Sequence, residues 1–356
     1  MMPSRHNQSS VPCSVVRTGD RDALYSVRLD SGLTKPRFGK PAGSRLAVGK
    51  EILPVNGSSK SIKRYGVKPM VKLVISLLYF IARRLSQFIL RAIGRSPNPQ
   101  LVILYYHGIP PEYRANFVRQ LEAIRRGARV WPASHRGDLP AGKQNVAITF
   151  DDAYVSVVEN ALPELTARDF HSTIFVPVGS LGGPPTWPVE NGSLDANETV
   201  MSAEQIARLP SSLVTLGSHT STHPRLSRID PFDAREEIEG SRAGLQALTA
   251  QDIRLLAFPY GDHDASITEL CRSAGYDNVF GIAPEPVDTT RSNFVRGRVK
   301  VDPFDGTLEF FLKYHGAYAW ASHVSSWKKK LRDRNSQRVR RPSYGQSMSD
   351  RHPLRS

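Results

Sequence analysis

Only two cysteines, Cys13 and Cys271, stand in the 356 residues. They are too few and too far apart for a disulfide-stapled scaffold or a cysteine-based zinc knuckle. No uninterrupted apolar run approaches the roughly 20 residues that cross a bilayer, which argues against an ordinary transmembrane protein. No internal repeat is visible. Negative charge is scarce at both ends. Residues 1–68 hold 4 Asp/Glu against 13 Lys/Arg (+9), residues 69–94 hold none against 4 (+4), and residues 327–356 hold 2 against 10 (+8). The remainder, 95–326, has 27 acidic against 21 basic side chains, or −6. The net charge of +15 therefore belongs to the extensions, and nucleic acid is not the expected partner of the body. Apolar residues at 40% and charged residues at 23% are compatible with a substantial core. The length suits two domains, or one large α/β domain with appendages.

Residues 1–68 scatter Gly, Ser, Pro, Lys and Arg with no period of 2 or 3.6 and read as a disordered basic extension. Met70 opens the stretch MVKLVISLLYF and is an alternative start, which would make 1–69 a mis-called extension; a flexible arm is the other reading. Residues 69–94 read as a basic amphipathic helix. Leu73, Val74, Leu77, Leu78, Ile81, Leu85, Phe88, Ile89 and Ala92 recur at helical spacing, with Lys72, Ser76, Arg83, Arg84, Gln87 and Arg91 on another stripe. Such a helix suits a membrane surface, so residues 70–93 are expected to give peripheral membrane association. A helix packed on the body is the alternative. A signal peptide fits less well, because Arg83-Arg84 closes the segment with no small-residue cleavage site. Residues 327–356, with Lys328-Lys329-Lys330 and Arg340-Arg341, read as a disordered basic tail.

Between these ends, residues 95–326 alternate short apolar runs with helical patterns. Runs at 101–106, 146–150, 173–178, 214–217 and 255–258 read as buried strands. Helical patterns fall at 117–126, 155–167, 203–209, 231–248 and 265–274, with Ser202 as an N-cap and Gly275 as a stop. The alternation predicts an α/β fold of βα units around a parallel, barrel-like sheet, with chemistry at the strands' C-terminal ends.

Four of those strand ends carry polar groups with no packing role. Asp151-Asp152 closes the second strand. Two adjacent carboxylates there cost desolvation and mutual repulsion unless a cation or donors compensate; an acidic turn or cap is the alternative. Ser218-His219-Thr220-Ser221-Thr222-His223 follows the fourth strand. Its two histidines sit four apart, but Pro224 favours a loop over a helix there. Phe258-Pro259-Tyr260-Gly261 fixes a turn that aims the Tyr260 amide at the pocket, unless it is an ordinary turn. Tyr105-Tyr106-His107-Gly108 ends the first strand, with a histidine whose company gives it interest.

Thr149-Phe150-Asp151-Asp152, Ser172–Val176 (STIFV), the HTSTH of 219–223 and the FPYG of 258–261 together resemble the polysaccharide deacetylases, the NodB-like carbohydrate esterase family 4. The likeness covers about residues 100–300. Tyr106-His107-Gly108-Ile109 is similar to the branch acting on poly-N-acetylglucosamine, in which the general-acid histidine comes early in the chain. The resemblance implies a distorted (β/α) barrel of the NodB-homology type and a divalent ion, zinc above Fe²⁺, Co²⁺ or Ni²⁺, on Asp152, His219 and His223. It further implies Asp151 as the base, the Tyr260 amide at the oxyanion, His107 as proton donor to the leaving amine, and an N-acetylated glycan as substrate. Three departures stand out. Ala153 replaces the Gly usual after the Asp pair, Phe258 replaces the Arg that often precedes Pro-Tyr, and no late histidine motif is evident; His315 and His323 receive no role. Arg298 is the candidate to orient Asp151 instead, with a structural ion pair as its alternative. A catalytically idle glycan-binding or membrane-associated protein on the same fold is the rival reading.

Overall fold

The computed structural model describes residues 67–189 and 192–324. The expected basic tail 327–356, and all but the last two residues of the extension 1–68, lie outside these. In chain order the elements are α1 (Val67–Ala92), β1 (Leu101–Tyr106), α2 (Arg114–Gly127), β2 (Ala128–Val130) and β3 (Gln144–Phe150). Then come α3 (Leu162–Thr166), β4 (Ser172–Val176), α4 (Ala203–Ala207), β5 (Val214–Ser218), α5 (Pro231–Thr249) and β6 (Leu255–Ala257). α6 (Ala265–Ser273), β7 (Asn278–Phe280), β8 (Val295–Arg296), β9 (Val299–Lys300) and α7 (Thr307–Tyr314) complete the series.

Every ladder is parallel, in the order β8-β7-β6-β5-β4-β3-β1-β9, with β2 also on β3. β1 and β3 are buried along almost their whole length, the condition that near-continuous apolar runs such as LVILYY satisfy in a sheet covered on both faces. One core lies between sheet and helices and includes Val102, Leu104, Tyr106, Ile148, Phe150, Leu121 and Ile238. A second fills the inside of the curled sheet with Leu101, Ile103, Ala147, Phe175, Leu255, Ala257 and Phe280. The two sets alternate along each strand, as the period of 2 requires.

The segment 295–300 joins the sheet's two ends. Its first half pairs with β7 and its second with β1, on either side of Gly297-Arg298. A Cβ on Gly297 would lie 2.3 Å from the Ala283 carbonyl oxygen and 3.0 Å from the Glu285 amide nitrogen, so backbone alone fits there. Gly297→Ala is expected to lower stability by about 1–3 kcal/mol, read from the denaturant midpoint, because two backbones must part to admit the methyl. An unchanged midpoint would show that this seam is loosely held.

Several boundaries differ from the sequence expectation. The strand expected at 173–178 ends at Val176, where Pro177 starts a 3₁₀ turn. The helix expected at 155–167 is instead a π-helical turn, Val157–Ala161, running into α3, whose Pro163 lacks an amide hydrogen to continue the ladder. Strands β2, β7, β8 and β9 are two or three residues long, below what alternation reveals. The Ser202 cap forms with Gln205 in a reciprocal capping box, and Gly275 takes a φ of +85°.

The sequence holds no uninterrupted apolar run of span length, but as a helix α1 reaches that length. Met70–Ala92 is a 23-residue helical stretch whose most apolar 18-residue window has a mean hydropathy of 1.6, long and apolar enough to cross a membrane by length and composition alone. Arg83-Arg84 interrupts the apolar run, and a helix of this length tolerates the pair. The polar stripe also does not all face outward. Ser76 is fully buried and accepts from Trp320 Nε1 at 2.9 Å, while Arg83 donates to Gln100 Oε1 at 2.8 Å and to the His315 carbonyl at 3.3 Å. Phe80 packs edge-on against Phe311 and His315. The helix therefore docks on the body by part of its polar face.

Candidate active site

Parallel strands gather their C-terminal ends at one mouth. On β3 the inward register runs from Ala147 through Thr149, whose hydroxyl receives Arg298 Nη1 at 3.3 Å, and emerges at Asp151. On β5 the same alternation leads through Gly217 to His219. A Cβ on Gly217 would meet the Phe175 ring at 2.6 Å, so glycine leaves room for the inner aromatic floor below the site. On β1 it leads through Leu101, Ile103 and Tyr105 to His107.

Asp152, His219 and His223 converge, one ligand atom from each lying within 4.8 Å of the others. Asp152 Oδ1 is 3.4 Å from Nε2 of both histidines. Those separations match the edge of a tetrahedron, about 3.3 Å, built on ligand bonds of about 2.0–2.1 Å. Asp152 Oδ1 is buried with no hydrogen-bond partner, an expense that a cation on that oxygen removes. His219 Nδ1 donates to the Ala257 carbonyl at 2.8 Å, which fixes the tautomer and leaves the Nε2 lone pair toward Asp152. Burial lowers the His219 pKa to about 4 despite the Asp151 charge. Burial, then the neighbouring His219, lowers His223 to about 2. Both rings are therefore neutral donors at pH 7. Burial, with the charges of Asp151 and Asp195, pushes Asp152 well above the usual carboxylate range, a penalty that a bound cation offsets. The residues present thus fit a divalent ion of the zinc class. Pro224 has the effect anticipated for it: His223 sits at φ +61° in irregular chain just past a bend, not in a helix.

Asp151 is held separately. Arg298, fully buried in the seam between β8 and β9, grips it in a fork, Nη1 to Oδ1 at 2.6 Å and Nη2 to Oδ2 at 2.9 Å. Arg298 Nε donates to the Gly281 carbonyl at 3.2 Å, and its guanidinium lies 4.6 Å from the centre of the Tyr105 ring. Burial alone would raise the Asp151 pKa, but Arg298 and the nearby His219 hold it down to about 2. The carboxylate stays ionised and oriented. Phe258, where the resembled family often has arginine, instead stacks on His263 at 4.6 Å.

Backbone strain collects at the same place. Seven described non-glycine residues have positive φ, and five of them are Asp152 (+67°), Ala153 (+49°), Thr220 (+66°), His223 (+61°) and Tyr260 (+58°). Left-handed backbone at side-chain-bearing residues costs of order 1–3 kcal/mol each and persists only where surroundings impose it. Ala153 therefore occupies a position suited to glycine, and it does so without displacing its neighbours Asp152 and Asp151 from the site.

The cleft over these groups has a volume of about 310 Å³ and is lined by His107, Asp151, Asp152, Tyr154, Trp187, Asp195, His219, His223, Tyr260 and Lys300, among others. His107 Nε2 stands 4.0 Å from Asp152 Oδ2, with the side chain about a quarter exposed. Tyr260 meets His223 edge-on at 4.7 Å and carries Arg225 over its outer face at 4.0 Å. All seven sequence-nominated residues thus reach one site, the four others around the Asp152, His219 and His223 cluster. His315 lies elsewhere, stacked on Phe311. Sequence reasoning missed Trp187, which stacks on His223 at 4.3 Å, and Tyr154, buried beside Asp152. The available signal for Trp187 was a lone aromatic in the Gly/Pro-rich run GGPPTWP, where no strand or helix pattern explains it.

Residues 138–279 match the family model described as Polysaccharide deacetylase. YxkH of Bacillus subtilis, a polysaccharide deacetylase by name, is 23% identical over 168 residues, 47% of this chain and 54% of that protein. The chain thus spans about half the length of this curated relative. Two solved structures share the fold. The Streptococcus pyogenes deacetylase PplD, in complex with acetate, is 20% identical, with a TM-score of 0.51 over 62% of this chain and 99% of that one. BA0330 of Bacillus anthracis, also a polysaccharide deacetylase by name, is 20% identical, with a TM-score of 0.50 over 60% and 69% of the two chains.

Proposed function

We propose, from the premise that this chain resembles the polysaccharide deacetylases over its βα body, that it removes N-acetyl groups from an N-acetylated oligo- or polysaccharide of the chitooligosaccharide or poly-N-acetylglucosamine type. The observation that carries this reading is the orphaned Asp152 Oδ1, equidistant at 3.4 Å from two neutral imidazole nitrogens and set beside an ionised, arginine-clamped carboxylate. Asp152, His219 and His223 would hold the ion, zinc by the donor set. When bound, it would acidify a water and polarise the acyl oxygen.

The chain's own groups do the rest. Asp151 accepts the proton of the attacking water. A carboxylate with a pKa of about 2 is a weak base, so it suits only a water that a cation has already acidified. Arg298 keeps both Asp151 oxygens in place and acts as a positioning residue. The Tyr260 amide, on the strained turn at Pro259–Gly261, supports the developing oxyanion. His107 hands a proton to the departing amine. Water adds to the carbonyl, the C–N bond breaks, and acetate and a free amino sugar leave. Trp187, Pro188, Val189, Ser193 and Asp195 line the same cleft and would flank the sugar.

Acetate release from N-acetylglucosamine oligomers is the test. The purified chain is expected to release acetate, to stop with a chelator and to resume with added zinc. Asp151→Asn is expected to keep its metal and lose about 10²–10⁴-fold in rate, the usual worth of a positioned base. Stoichiometric metal with no acetate from any acetylated glycan would instead favour the idle, glycan-binding reading, to which the strained Ala153 would then belong.

A further inference from the structure

The outward face of α1 has no partner among the described residues. Val74 (54% exposed), Leu78 (61%), Leu85 (59%) and Phe88 (69%) form one stripe, which Met70, Ile81, Ile89 and Ile93 widen. At 100° per residue the exposed apolar positions cover an arc of roughly 140°, wider than the narrow seam of a two-helix coil. Only 6% of the helix's most apolar window is buried. A core helix is thereby excluded.

A second observation lies at the edge of that stripe. Arg83, Arg84, Arg91 and Lys143, with Gln87 and Gln100, line a recess between α1 and the turn that leads into β3, and no carboxylate is among its lining residues. Cations beside an exposed apolar arc are complementary to an anionic bilayer surface, where acyl chains and phosphates occur together in that order.

The position of α1 adds a direction. It meets the body at Gln100, just before β1, and at His315, just past α7, while the recess reaches Gln144 at the start of β3. In an all-parallel sheet the strand starts lie at the end opposite the strand C-termini, where Asp151, His219 and His107 stand. We propose that α1 lies flat in the surface of an anionic membrane, apolar arc down and Arg84, Arg91 and Lys143 at phosphate level. The bilayer then holds the barrel by its N-terminal end, and the cleft opens toward water. Taken with the proposed deacetylation, on which this last step alone rests, the substrate is a glycan chain extending into the aqueous phase and not a sugar on a lipid headgroup.

The test is flotation of the full chain with vesicles of phosphatidylcholine alone or with about one-third phosphatidylglycerol. The chain is expected to float with the anionic vesicles. Leu78→Glu/Leu85→Glu/Phe88→Glu and Arg84→Gln/Arg91→Gln/Lys143→Gln are each expected to bind more than tenfold more weakly, a cation near such a surface being worth about fivefold. Acetate release from soluble oligomers should be unchanged in both. Undiminished flotation of the triple Glu variant overturns the proposal, as does a dimer that this variant dissociates, which would make a second copy the occupant. Carbonate-resistant insertion across the bilayer overturns the flat arrangement. For the direction, a fluorophore on Ile81→Cys should be quenched by spin-labelled lipid and one on Asn197→Cys should not; equal quenching overturns it. These readouts need no catalysis, so they stand or fall apart from the deacetylase reading.

Discussion

Replacing Arg298 with methionine is expected to destabilise the fold by about 3–5 kcal/mol at pH 7, because it leaves the buried Asp151 carboxylate without its counter-charge. The pH dependence distinguishes this from simple loss of packing. In the parent chain the Asp151 pKa is lowered from 3.8 to about 2, so the pair contributes stability above pH 3.8 that is lost as pH falls toward 2. The contribution is about 2 kcal/mol at 1.36 kcal/mol per unit of pKa. Without the guanidinium, burial dominates and raises the carboxyl above 3.8, which reverses the sign: the variant's deficit shrinks as acid protonates Asp151. Urea denaturation at pH 7 and pH 4 should show the gap between parent and variant narrowing. A gap independent of pH would show that Arg298 acts through packing alone. The same variant should lose kcat, most steeply at the acid end of its range, as the proton acceptor becomes protonated; Arg298→Lys, which keeps charge without the fork, should recover part of it.

His219→Ala is the second large effect. One imidazole leaves, with it the fixed lone pair that the Ala257 carbonyl orients, and Asp152 faces His223 alone. Metal content measured by mass spectrometry is expected to fall from one per chain to a small fraction, and acetate release by at least about 10³-fold, since a Lewis acid worth several kcal/mol is removed at 1.36 kcal/mol per decade. Stability in the absence of metal should not fall in step, because the site costs the apo fold more than it returns: Asp152 Oδ1 and His223 Nδ1 are buried without partners. A variant that keeps its metal would remove His219 from the ligand set.

The site was legible from sequence for a physical reason. Asp151-Asp152 and His219 follow apolar runs that only a buried parallel strand explains, and parallel strands bring their ends together whatever the loops between them do. Arg298 was reachable by elimination of the usual arginine at Phe258, yet its fork on Asp151 depends on the seam at Gly297, which two-residue strands do not announce. Trp187 was hidden because a stacking partner in an irregular loop has no periodicity. Ala153 in place of the resembled family's Gly pointed to a left-handed position there; nothing in the sequence marked the four further side-chain-bearing residues of the site that share it. For α1, helical periodicity was clear, but which stripe would be satisfied by the body depended on Trp320, Gln100 and His315, distant in sequence or beyond the helix.

The central claim is one cation held by three side chains from two strand ends. Anomalous diffraction at the zinc edge from crystals grown with zinc measures it directly. A single strong peak is expected about 2.0–2.2 Å from Asp152 Oδ1, His219 Nε2 and His223 Nε2. No peak there, or a peak held by other residues while these three stay empty, would contradict it.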